Sequence, residues 1–161
     1  MDFYHIPEFE LMLRLALAAL LGYSIGLERQ LTGHPAGDRT FSLTAVGAAL
    51  FTIISLKAFP VGDSRVAAGV VTGLGFLGAG MIIRTQGREI KGLTTAAGIW
   101  AAGAIGLAIG SGMYITGIFS AILVLFLLSS ERLLHIDQNI NNWRKNRKNQ
   151  RKPPTPDTPV E

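Results

Sequence analysis

The chain has 161 residues, 48% of them hydrophobic and only 16% charged, with 19 glycines and a mean hydropathy of +0.35. Soluble domains carry about a quarter of their residues as charges, so that class is excluded, and with no cysteine so are disulfide frameworks, thiol nucleophiles and thiolate metal sites. The net charge of +4 does not point to nucleic acid, because six of the 15 basic residues lie in 144–152 and the remainder holds 9 basic against 11 acidic residues.

The apolar residues arrive in five blocks, 9–27, 40–59, 66–83, 93–109 and 113–130, of 19, 20, 18, 17 and 18 residues. At 1.5 Å rise per residue, each approaches the roughly 30 Å of a bilayer hydrocarbon core. The expectation is an all-α integral membrane protein with five transmembrane helices in a Gly/Ala-rich bundle. An external N-terminus and a cytoplasmic C-terminus leave 12 basic residues inside against 2 outside, Lys57 and Arg65, with Arg14 set apart as intramembrane.

The first block opens on Pro7, suited to a first helical turn, and pairs Glu10 with Arg14 at i, i+4. A charge at membrane depth is a functional candidate by default. For Arg14 the alternative is snorkelling to the outer surface beside Glu10. Glu28 and Arg29 close this block, while Asp38, Arg39 and Thr40 open the second.

In the third block Gly73, Gly75 and Gly78 match the dinucleotide fingerprint G-x-G-x-x-G. The context is wrong, with no preceding strand and the next acid, Glu89, in a basic loop. Two readings stand: close helix packing through Gly69 and Gly73, or local unwinding at 73–80 that exposes carbonyls to a solute. Gly73, Gly75, Gly78 and Gly80 are the candidate residues. Arg84 follows, and Thr94 and Thr95 open the fourth block, where Thr94, Gly98, Ala102, Gly106 and Gly110 form a small-residue stripe.

In an antiparallel bundle, Glu28, Arg29, Asp38, Arg39, Thr40, Arg84, Thr94 and Thr95 come to one membrane face. Carboxylates and guanidinium groups there can form a gate, a docking surface or a set of satisfied interface charges. From 40 to 130 the acids are Asp63 and Glu89, both in loops, which argues against a dedicated cation path. The scattered His5, His34 and His135 lack ligand spacing, and no nucleophile elbow occurs, so neither metal site, cofactor nor enzyme is expected. After the fifth block, Leu133, Ile136, Ile140 and Trp143 share a helical face, predicting an interfacial helix over 131–143. The basic run 144–152 suits anionic lipid headgroups, and the Pro-rich end is expected to be disordered.

Arg14-Leu15 through Gly22 and Gly26 to Glu28-Arg29-Gln30, then Ala36-Gly37-Asp38-Arg39-Thr40, Arg65-Val66-Ala67-Ala68 with Gly75-Phe76-Leu77-Gly78-Ala79-Gly80, and Lys91-Gly92-Leu93-Thr94-Thr95-Ala96-Ala97 occur in this order. Together they resemble the MgtC/SapB family of bacterial membrane proteins, over residues 11–132. The resemblance implies a multi-pass protein of the bacterial cytoplasmic (inner) membrane, associated with growth under magnesium limitation, survival in host cells and restraint of the F-type ATP synthase. Longer members carry an ACT-like cytoplasmic domain, for which the 31 residues after Ser130 leave no room. Asp38 stands where an apolar residue is expected and is placed to pair with Arg29 or Arg39. The functional expectation is protein–protein contact in magnesium adaptation or membrane energetics, with homodimerisation as a further contact. The alternative is a magnesium or small-solute transporter or channel subunit.

Overall fold

The computed structural model describes residues 6–59, 65–84 and 90–133. Each apolar block becomes a helix: α1 (Glu8–Leu31), α2 (Asp38–Ala58), α3 (Arg65–Met81), α4 (Leu93–Gly110) and α5 (Tyr114–Leu133). Between α3 and α4 lies a two-stranded ribbon, β1 (Ile83–Arg84) against β2 (Ile90–Lys91). Three helices, α1, α2 and α4, are long and apolar enough to cross a membrane, which makes this a membrane protein; α3 and the apolar 17 residues of α5 are shorter. Of the expected interfacial helix 131–143, the first three residues continue α5. The remainder, with the basic run and the Pro-rich end, lies outside the described residues.

The third block differs from expectation at its end. The helix stops at Met81, and Ile83 turns into an antiparallel pairing, Ile83 with Lys91 and Arg84 with Ile90. Isoleucines at 82, 83 and 90 favour extended backbone. Gly92 then enters α4 at a φ of 91°, where a Cβ would collide with the Met81 carbonyl. Its left-handed conformation and close approach both demand glycine.

Small residues set the packing around α2. From α1, Gly22 lies on the backbone of Phe41 and Ser42, and Gly26 on Gly37 and Asp38. From α4, Gly98 meets the Phe41 ring, Gly106 the Ala45 backbone and Gly110 Ala49 and Thr52. These contacts make α1 antiparallel and α4 parallel to α2. Lipid supplies no hydrophobic drive between helices, so association depends on such close approach. Ala18, Ile25, Phe41, Ala45, Ala49, Ile99, Ala102, Ile105 and Ile109 form the buried centre. Helix α3 packs on α4 through Leu74 against Gly103 and Gly78 against Ala96, whereas α5 rests its Gly117 on Ile109.

Candidate functional site

Two groups of charges lie at opposite ends of the bundle. The first surrounds Arg14, which is only 5% exposed. Its guanidinium turns into the protein and does not snorkel. Nη1 donates to the Gly110 carbonyl at 2.8 Å, Nε to the Tyr114 hydroxyl at 3.0 Å and Nη2 to Glu10 Oε1 at 2.6 Å. The Tyr114 hydroxyl donates in turn to the same Glu10 oxygen at 2.9 Å. Gly110 closes α4, whose last carbonyls have no partner within the helix and carry partial negative charge. Arg14 thus caps α4 while binding α1 to α5. Gly112, at a φ of 85°, allows the turn, and a Cβ there would sit 3.0 Å from Nη2. The i, i+4 spacing showed the Glu10 contact. Gly110, Gly112 and Tyr114, about a hundred residues away in sequence, carried no readable signal.

The opposite end gathers the end of α1, the first turns of α2 and α4, and the ribbon. Arg29 is 1% exposed, and its Nη1 lies 3.8 Å from Glu28 Oε2, beyond hydrogen-bonding distance. Arg29 Nε and Nη2 and both Glu28 carboxylate oxygens are buried without a hydrogen-bond partner. Adjacent helical residues point about 100° apart, so neighbours in sequence cannot readily form a bidentate pair. Such an incomplete pair is destabilising unless something else completes it.

Around this pair the other candidates divide by exposure. Thr95 is 2% exposed and so inside the bundle, whereas Arg39, Thr40 and Thr94 are exposed and Asp38 is intermediate. Asp38 Oδ1 accepts from the Arg39 backbone N–H at 2.7 Å and makes no ion pair with Arg29 or Arg39. A carboxylate in the first turn of α2 favourably meets the helix dipole. Gln30 Oε1 accepts from the Asp38 N–H at 3.3 Å, joining the end of α1 to the start of α2. Arg84 lies in β1, its backbone paired to Ile90.

The glycine segment is helical throughout. Gly78 packs against Ala96, while at Gly73, Gly75 and Gly80 no atom lies within 4 Å of the place a Cβ would occupy. Among the described residues, no three His, Asp or Glu side chains gather as a metal site.

Known proteins resemble this arrangement in sequence. A putative magnesium transporter, YhiD, of Escherichia coli (strain K12) is 47% identical over 128 residues, covering 74% of this chain and 59% of that protein. Protein MgtC of Salmonella typhimurium (strain LT2) is 43% identical over 117 residues, 73% of this chain and 50% of its own. Protein SrpB of Synechococcus elongatus is 42% identical over 152 residues, covering 84% of this chain and 82% of that protein. The chain thus spans between half and three-fifths of YhiD and MgtC. No solved structure matches. A family model described as the MgtC family matches residues 15–136, which takes in the Glu28–Arg29 end of the bundle and begins just after Arg14, and the chain belongs to that family.

Proposed function

We propose that this protein works in the bacterial inner membrane by contact with another membrane protein, in adaptation to magnesium limitation or in the control of membrane energetics. The single observation that carries the reading is the layered end of the bundle. Exposed Arg39, Thr40 and Thr94 stand beside a buried Glu28–Arg29 pair whose hydrogen bonds are incomplete. An accessible guanidinium offers a partner a strong contact, because hydrogen bonds to charged groups contribute about 1.5–3 kcal/mol. The link to magnesium rests on relatives named MgtC and putative magnesium transporter.

In this proposal all five helices span the bilayer, with the N-terminus outside and this end of the bundle in the cytoplasm, a topology that the 12-to-2 charge asymmetry supports. The partner is a membrane complex such as the F-type ATP synthase, a second copy adds a further contact, and 144–152 holds anionic headgroups. No catalysis is involved. A conduit reading is favoured by the name of YhiD. Against it, α3 and α4 contain no acidic residue, and α2 only Asp38 at its first position.

The deciding experiment uses the full chain. Arg39→Ala should keep membrane insertion and expression yet abolish growth under magnesium limitation. Saturable magnesium uptake by liposomes containing only the purified protein would overturn the contact reading, because an interaction protein offers no path.

A further inference from the structure

The ribbon between α3 and α4 lies at the charged end of the bundle, yet it leaves apolar side chains uncovered. Ile82, Ile83, Ile90 and Leu93 are all exposed. In the antiparallel register Ile83 stands opposite Lys91, which sets an apolar and a basic side chain next to each other on one face. Ile90, the neighbour of Lys91 along the strand, points to the other face. Lys91 is exposed and has no ion pair among the described residues.

We propose that the ribbon binds anionic phospholipid, lying in the headgroup layer with its isoleucines in the acyl boundary and Lys91 at the phosphates. The inference goes beyond the partner contact proposed above and does not depend on it. Depth is the first argument. Gly98 of α4 meets the Phe41 ring of α2. Leu93 begins α4 five residues before Gly98, and Asp38 begins α2 three residues before Phe41. Along these parallel helices the ribbon therefore joins α4 about 3 Å beyond the level of Asp38. Both helices are long and apolar enough to cross a membrane, and Asp38 and Arg39 are the charges that precede the apolar run of α2. The ribbon is thus rooted where hydrocarbon gives way to headgroups. Such a layer suits it better than the core, because its outer edges carry backbone N–H and C=O groups that lipid tails cannot pair.

The two faces select the occupant. A folded partner or a second copy packed on the ribbon would cover one face and leave the isoleucine of the other in water. A lipid layer surrounds both. Charge then selects the kind of lipid. Arg84 and Lys91 are the charged residues of the two strands, and both are basic. Basic residues beside a membrane-crossing helix are drawn to anionic headgroups, and a lysine stem can lie along apolar surface while its ammonium reaches the phosphates.

The test uses the full chain in liposomes, labelled with an environment-sensitive fluorophore at Ile83→Cys or Ile90→Cys, since the protein has no cysteine of its own. Pro35→Cys serves as the water reference. It lies in the exposed turn after α1, whose rise of about 36 Å over 24 residues exceeds the hydrocarbon core. In phosphatidylglycerol vesicles, a phospholipid with a nitroxide near its headgroup should quench both ribbon labels at least twofold more than the Pro35→Cys label. Iodide in the water should quench them at least twofold less. That contrast should fall by at least half in phosphatidylcholine vesicles, and equally when Lys91→Gln is added. Both label sites are exposed, so each reports on the ribbon by itself, and melting in detergent identifies the variants that fold as the parent does. Iodide quenching equal to that of Pro35→Cys would place the ribbon in water and overturn the proposal. Protection from both quenchers would overturn it in favour of a protein partner or a second copy. A contrast unchanged by phosphatidylcholine and by Lys91→Gln would remove the headgroup contact and overturn it as well.

Discussion

Arg14 and Gly110 are 96 positions apart, and a 2.8 Å hydrogen bond from the guanidinium to the carbonyl joins the first helix to the end of the fourth. The same side chain holds Tyr114 at the start of α5. One charged residue therefore sets the positions of three helices.

Removing it should cost more than losing one hydrogen bond. Arg14→Ala leaves the α4 carbonyl without its cap and Glu10 without its cation, and breaking a buried pair costs about 3–5 kcal/mol. Glu10 is 37% exposed, which points to the lower end, about 3 kcal/mol. Tyr114→Phe deletes one hydroxyl and should cost about 1 kcal/mol. Unfolding in mixed micelles measures both. Equal effects would mean that the guanidinium does not tie the helices together.

The glycines should respond in order of what surrounds them. Gly106→Ala drives a methyl group onto the Ala45 backbone, which cannot yield locally, and should destabilise by about 1–3 kcal/mol. Gly98→Ala meets two Phe41 ring atoms, each at 3.2 Å, and a small ring movement makes the loss less. Gly75→Ala enters open space and should be neutral, or stabilising by up to about 1 kcal/mol through helix propensity. The same unfolding assay ranks all three, and a reversed order would contradict this packing.

The antiparallel helices place Pro35 and Lys91 at one end and Phe59 and Met113 at the other, all four exposed. The chain has no cysteine of its own, so single substitutions report cleanly. With five spans, Phe59→Cys and Met113→Cys should react with an impermeant thiol reagent on intact cells. Pro35→Cys and Lys91→Cys should react only after permeabilisation. External labelling at Lys91→Cys would break the proposed topology.

The five helices were legible because apolar runs of 17–20 residues with at most two charges each leave few alternatives, and the stripe from Gly98 to Gly110 announced a closely packed face. The end of α3 was not. Ile82 and Ile83 are as apolar as any spanning residues, and only their pairing with 90–91 turns them into a ribbon. At the site, charge spacing identified Glu28, Arg29 and Arg39 but could not tell buried from exposed. Hydropathy averages over a helix, whereas the burial of Arg29 depends on which side of α1 faces its neighbours. Likewise Gly73 and Gly106 share a motif type, yet one faces open space and the other a backbone.

The Glu28–Arg29 pair offers the sharpest test of whether this end of the bundle serves function or stability. Arg29→Met alone should destabilise the protein, because the buried Glu28 carboxylate loses the only cation paired with it among the described residues. Combining it with Glu28→Leu removes both charges, and replacing a buried pair by apolar residues of similar volume is often neutral or stabilising by about 1–4 kcal/mol. The double variant should therefore recover at least the parent's resistance to unfolding. A pair kept for recognition would still be missing, so growth under magnesium limitation should fail although the protein is folded and inserted. Normal growth with the double variant would show that the contact lies elsewhere. A double variant less stable than Arg29→Met would show that the pair supports the fold despite its unmade hydrogen bonds.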